Sequence, residues 1–240
     1  MTLKDIIKKL IRKYENYKHK NSNVYYISIG ENCLTDNILN RFRIKSFSTP
    51  YSHGRSNLDY AIQLEKENYC NLLNSEHLFY EYIGETKVVR NKFYSKSDNI
   101  YIKLHQHGFE FTHHDVINND LHRKSYERKL LRMKSLDKRK KIKFIYHYRH
   151  SNNKDLKLIA KKAEEFLICY QKKGVKCEFI FFTQEIILNK EERDIIKIHD
   201  ENSVKGYSLK TLEIWQGDDQ DVFWARKDDD LISKMIKDIK

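Results

Sequence analysis

No stretch of this chain reaches the roughly 20 apolar residues that cross a bilayer. Its first residues, Met1-Thr2-Leu3-Lys4-Asp5, lack the apolar run and small-residue cleavage site of a secretory signal. Cysteine is scarce: Cys33, Cys70, Cys169 and Cys177 form no CxxC pair and no tight cluster with histidine. That argues against a zinc ribbon and against a disulfide framework. Together these absences lead us to expect a soluble, cytoplasmic protein. There is one proline, Pro50, set among small hydroxylated residues, so it marks an ordered turn. The aromatic-and-basic signature of RNA or DNA recognition is missing, and nucleic acid is not an expected partner.

What is present describes a globular chain. Of 240 residues, 40% are hydrophobic and 33% charged, enough for one sizeable core under a well-solvated surface. The net charge of +12 comes from lysine spread along the whole length, which implies attraction to polyanions such as acidic glycans or anionic lipid surfaces. Residues 3–18 read as a basic amphipathic helix, with Ile6, Ile7, Leu10, Ile11, Tyr14 and Tyr17 on one side. We take residues 1–22 as this helix, a candidate for peripheral membrane contact, and 23–240 as one α/β domain.

The stretch from Val24 to Leu34 carries the first chemical signal. Six residues of high strand propensity stop at Gly30, and Glu31, Asn32 and Cys33 lead into a helix capped by Thr35 or Asp36 and running to about Phe42. In open α/β sheets the chemistry sits at the carboxyl ends of the strands, where a helix N-terminus favours a thiolate. Cys33 reads either as a nucleophile placed there or as one more small buried hydrophobe. Further on, the pattern predicts a helix over 56–73, strands at 87–90 and 99–104, a strand at 143–148, a helix over 154–173 stopped by Gly174, strands at 177–183 and 193–199, and a closing helix at 228–239. Strand, helix, strand in that rhythm indicates a mainly parallel sheet flanked by helices, with the nucleophile after the first strand.

The second signal is His105-Gln106-His107-Gly108-Phe109-Glu110-Phe111-Thr112-His113-His114-Asp115. One reading makes His113 or His114 the general base for Cys33, with a nearby carboxylate orienting the imidazole. Another makes His105, His107, His113, His114 and Asp115 ligands to a metal, although no short motif here has the register of a known zinc site. A histidine-rich surface loop is the third. Late in the chain, Trp215 and Trp224 flank an acidic turn that would either stack on a substrate or anchor the last helix. Arg128, Arg132 and Arg149 are candidate anion-binding groups, and solvated helix faces account for the first two equally well.

At this point the motifs carry a resemblance. The strand ending Ile29-Gly30-Glu31-Asn32-Cys33, the turn Phe47-Ser48-Thr49-Pro50, the segment Phe111-Thr112-His113-His114-Asp115 and the helix Tyr126-Glu127-Arg128-Lys129-Leu130-Leu131-Arg132 resemble a bacterial family designated papain-like cysteine peptidases, a domain of unknown function. The resemblance covers about residues 24–150 and implies that Cys33 is the family cysteine and that His114 and Asp115 are its His-Asp pair. Where the family has Phe-Asp-Trp after the proline, this chain has Tyr51-Ser52-His53. The resemblance implies a cysteine-dependent hydrolase of acyl or peptide carbonyls that requires no cofactor and no metal, acting on a small-molecule, peptide or glycan substrate. Gly30, Asn32, Ser52, His53, Arg149 and Trp215 are the candidates for binding the oxyanion or the substrate. A cysteine just after the first strand of a parallel sheet also resembles the nucleophile position of GDSL-type hydrolases and of a capsule-polysaccharide acetyltransferase type, and that resemblance implies, as the alternative, a cysteine-nucleophile acyltransferase modifying a surface polysaccharide, with a donor such as acetyl-CoA. A non-catalytic module for anionic glycans is another.

Overall fold

Strand β1 (Val24–Gly30) is organised by alternation: Tyr26 and Ser28 face one side, Ile27 and Ile29 the other. It pairs in parallel with β5 (Lys141–His147), Val24 opposite Lys141 and Gly30 opposite His147. The computed structural model describes residues 22–149, 153–215 and 225–240. The expected amphipathic helix at 3–18 and the turn around Trp224 lie outside them.

β5 continues in parallel to β6 (Cys177–Ile186), and β6 to β8 (Val204–Thr211). β7 (Ile195–Glu201) closes the edge antiparallel to β8, giving the order β1-β5-β6-β8-β7. The mainly parallel α/β sheet is therefore as expected. Strand β8 is an addition that hydrophobic periodicity did not pick out, because Gly206 interrupts its apolar residues. A Cβ on Gly206 would come within 2.4 Å of the Phe181 ring, so the neighbouring strand requires that glycine.

Helices α1 (Leu34–Arg41) and α5 (Asp229–Asp238) cover one face, burying Leu34, Ile38, Leu231, Ile232 and Met235 against Tyr26, Ile145, Phe182 and Leu209. The other face takes α2 (Leu58–Lys66), α4 (Asn153–Gln171) and a second sheet, β2 (Leu78–Ile83), β3 (Thr86–Asn91) and β4 (Phe109–Phe111), antiparallel in that order. Phe109 and Phe111 share one core cluster with Ile27, Phe144 and Phe166, so both sheets belong to one body. Helix α3 (Asp120–Lys134) leads back to β5.

Two expected elements are corrected. The helix predicted over 56–73 ends at Lys66, and Asn68 and Tyr69 take left-handed backbone angles of 48° and 59°. That reversal tucks Tyr69 inward, where its hydroxyl joins those of Tyr51 and Tyr170 around the buried Glu65. Residues 99–104 form no strand; they are a turn leading into a short 3-10 turn, Lys103–His105. Tertiary contacts override propensity in both.

Candidate active site

The turn after β1 is built by glycine. A Cβ on Gly30 would meet the Asn32 carbonyl oxygen at 2.4 Å, so only glycine lets the chain fold back so tightly. Glu31 and Asn32 follow, and the Asn32 side-chain oxygen accepts the Leu34 N–H at 3.0 Å. Cys33 is then the residue that caps α1, its carbonyl taking the Asn37 N–H at 3.0 Å, and its side chain is half-buried. The cap lies two to three residues earlier than the expected Thr35 or Asp36, and Asp36 is turned inward, accepting from Ser28 Oγ at 2.9 Å and pairing with Lys45 at 2.6 Å. A thiol at a helix N-terminus feels partial positive charge that favours its thiolate. By contrast, burial pushes the Cys177 thiol up to about 11, and burial and Glu65 raise that of Cys169.

Directly ahead of Cys33, Glu31 is fully buried and accepts two hydrogen bonds. One comes from the Tyr146 hydroxyl, the other from His105 Nδ1 at 2.8 Å. His105 is 1% exposed, and its Nε2 is buried without a hydrogen-bond partner. Burial lowers its pKa, Glu31 pulls the other way, and the charges of Arg149 and Arg55 add to the lowering. The ring is therefore neutral at physiological pH, and with Nδ1–H donated to Glu31 the lone pair lies on Nε2. Asn57 fixes the backbone beneath it, donating Nδ2–H to the His105 carbonyl at 2.9 Å.

His147, paired with Gly30 in the sheet, stands at the same carboxyl edge. It stacks on Phe182 at 4.9 Å and 18° and lies 5.3 Å from the Trp215 ring. Both its ring nitrogens are buried without partners, and burial, then Arg149 and His105, hold its pKa well below the usual range. Glu31, His105, His147 and Arg149 thus converge where β1 and β5 end.

The His113-His114-Asp115 turn runs from the end of β4 towards α3. His113 is exposed with a left-handed φ of 61°, and His114 Nδ1 is bonded to the Thr112 carbonyl at 2.9 Å. The His114 ring packs 5.0 Å from His122 and 5.7 Å from His53. His113, His114 and His122 line a cavity of about 570 Å³ with Arg55, Lys87 and Asp115, and Cys33 is not among the residues around it. The Asp115 carboxylate receives the Tyr80 hydroxyl and the N–H groups of Ile117 and Asn118, so it closes a turn, and the Asp115 backbone N–H donates to His122 Nδ1 at 3.0 Å. Of the expected metal ligands, His107 approaches Glu81 at 3.5 Å while His105 holds Glu31. Among the described residues, no group of three or more His, Cys, Asp or Glu is arranged to hold a metal.

The substrate-binding candidates divide. Arg149 belongs to the edge cluster. Ser52 is buried in the 3-10 turn Pro50–His53, its Oγ accepting the Thr49 N–H at 3.0 Å. His53 next to it is pushed down to about 4 by burial and by Lys129, against the pull of Asp36. Trp215 is 2% exposed and donates Nε1–H to Asp228 at 2.9 Å, so it anchors the last helix and offers no stacking face. The Glu31–His105 pairing escaped sequence reasoning because the partners are 74 residues apart. The available signal was an acidic residue wedged between the turn glycine and the cysteine.

A family model described as "putative papain-like cysteine peptidase (DUF1796)" matches residues 24–184. The chain belongs to this family. No curated protein and no solved structure matches it. The family match runs from the start of β1 to near the end of β6 and takes in Cys33, Glu31, His105, the His113–Asp115 turn and His147. β7, β8 and α5, which complete the sheet and cover one face, lie beyond it.

Proposed function

We propose that this papain-like cysteine peptidase family member is a cysteine-dependent hydrolase of an acyl or peptide carbonyl, with Cys33 as nucleophile and His105 as general base. The observation that carries the reading is the buried Glu31–His105 pair beside Cys33 in sequence, with one imidazole nitrogen held and the other bare. Nucleophile, base and orienting carboxylate are the parts that thiol catalysis requires. His105 Nε2 takes the Cys33 proton, and the thiolate adds to the carbonyl carbon. N–H groups at the Gly30–Cys33 turn and the start of α1 stabilise the oxyanion. The intermediate collapses to a thioester as His105 returns the proton to the leaving amine or alcohol. Water, deprotonated by His105, then releases the acid and restores the thiol.

Acyl transfer shares the first half of this sequence, with a sugar hydroxyl replacing water. The parallel sheet, unlike the α+β body of papain, suits that alternative as well.

The pH dependence of iodoacetamide labelling, read by peptide mass spectrometry, tests the assignment. Cys33 should be labelled selectively below the ordinary thiol pKa of about 8.5. That advantage should be lost in His105→Gln, weakened in Glu31→Gln and kept in His114→Ala. Loss in His114→Ala with retention in His105→Gln would return the base to the His113-His114 turn. Slow, uniform labelling of all four cysteines would remove the catalytic reading.

A further inference from the structure

Within a chain whose lysines are spread along its length, helix α3 and the loop after it form a densely basic stretch. From His122 to Lys143 there are eleven lysines and arginines against two acids, Glu127 and Asp137. The helix buries Tyr126, Lys129 and Met133 and turns its opposite side to solvent. On that side, Leu121, Lys124, Arg128 and Leu131 follow one another at spacings of three, four and three residues, which places them on a single stripe. Arg132 borders the stripe and is tied to the Ser48 carbonyl at 3.1 Å.

Two features of this face are unusual together. Leu121 and Leu131 are 76% and 65% exposed, among the most exposed large apolar side chains of the chain. Between and around them Lys124, Arg128, Lys134 and Lys138 have no carboxylate partner among the described residues. Glu127 is engaged by Arg123 at 3.8 Å and Asp137 by Arg139 at 2.9 Å, so neither acid neutralises the stripe. The ten helical steps from Leu121 to Leu131 span about 15 Å along the helix.

We propose that this face of α3 docks on an anionic phospholipid surface. The argument is charge complementarity joined to apolar anchoring: a bilayer interface offers phosphates and carboxylates to the cations and, just beneath them, hydrocarbon to the two leucines. A nucleic acid or an acidic glycan satisfies the cations and leaves the leucines in water. The proposal is independent of the catalytic assignment, since none of these residues belongs to the Cys33 edge.

Sedimentation of the full chain with vesicles of phosphatidylcholine, with and without phosphatidylserine, tests it. The wild type should bind only the serine-containing vesicles, and more weakly as salt is raised. Lys124→Glu combined with Arg128→Glu should lower that binding by about tenfold or more, and Leu121→Ser combined with Leu131→Ser by severalfold. All four positions are on the surface, so wild-type circular dichroism spectra should accompany both losses. Absence of wild-type binding, or wild-type binding by the charge-reversed variant, would overturn the proposal; the latter would move the contact to another basic segment. An unaffected leucine variant, with charge reversal that also abolishes heparin binding, would assign the stripe to a soluble polyanion and overturn it equally.

Discussion

Lys129 lies on the inner side of α3 at 4% exposure, its ammonium 4.0 Å from the centre of the Tyr126 ring and without a hydrogen-bond partner. Burial, against the pull of Asp36 and with added repulsion from Lys45, brings its pKa from 10.5 to about 8. A buried, unpaired charge is a cost to the folded state. Between pH 8 and 10.5 the unfolded chain holds a proton that the native chain has released, so stability should rise with pH across that window. Lys129→Met, which keeps the volume and removes the charge, should stabilise the protein at neutral pH by an amount on the order of 2–3 kcal/mol. Denaturant titrations should also show that the variant lacks the alkaline rise; a loss of stability would mean that the Tyr126 contact outweighs the burial. The residue was legible only as one more charge on a basic helix. That it points inward depends on the 3-10 turn at Pro50–His53, where Tyr126 donates its hydroxyl to the His53 carbonyl at 3.0 Å.

The turn between β1 and α1 is the element on which the proposed chemistry depends. Gly30→Ala would drive a methyl group against the Asn32 carbonyl, and backbone cannot yield as a flexible side chain does. The expected cost is about 1–3 kcal/mol of stability. Loss of selective Cys33 alkylation should accompany it, because the cysteine is displaced from the start of the helix. If Gly30→Ala labelled like wild type, the tight turn would have no part in activating the thiol. Among the elements, β1, β5, β6 and α4 were legible because their apolar residues recur at strand or helix period. The end of α2 at Lys66 and the absence of a strand at 99–104 were not, since both follow from partners distant in sequence: Glu65 gathering Tyr51, Tyr69 and Tyr170, and Glu31 seating His105.

For the molecule as a whole, acid should be the vulnerable direction. His105, His114, His147 and His53 all have pKa values below their ordinary 6.5, the last at about 4. Below 6.5 the unfolded chain binds protons that the native chain refuses, so this contribution is present above 6.5 and is lost as pH falls. Urea midpoints should therefore drop between about pH 7 and pH 5, and His147→Phe should flatten that drop. The replacement keeps the stacking on Phe182 and removes two unpaired nitrogens, so it should cost little at neutral pH. A slope unchanged by His147→Phe would mean that this ring titrates in the folded state. Among the described residues no helix is long and apolar enough to cross a membrane.

By itself the sequence determined the α/β class, the mainly parallel sheet and the position of Cys33 after the first strand. These follow from period, from glycine and from propensity, which act over neighbouring residues. It also carried the family resemblance, because the motifs are contiguous. Only the tertiary structure decided what surrounds each histidine. The cluster at 105–115 is compact in sequence, yet His105 is drawn into the end of the central sheet by Glu31 while His113 and His114 stay on a separate turn. A buried carboxylate needs a hydrogen-bond donor from wherever the fold brings one, and that pairing is a property of three-dimensional packing, not of spacing along the chain.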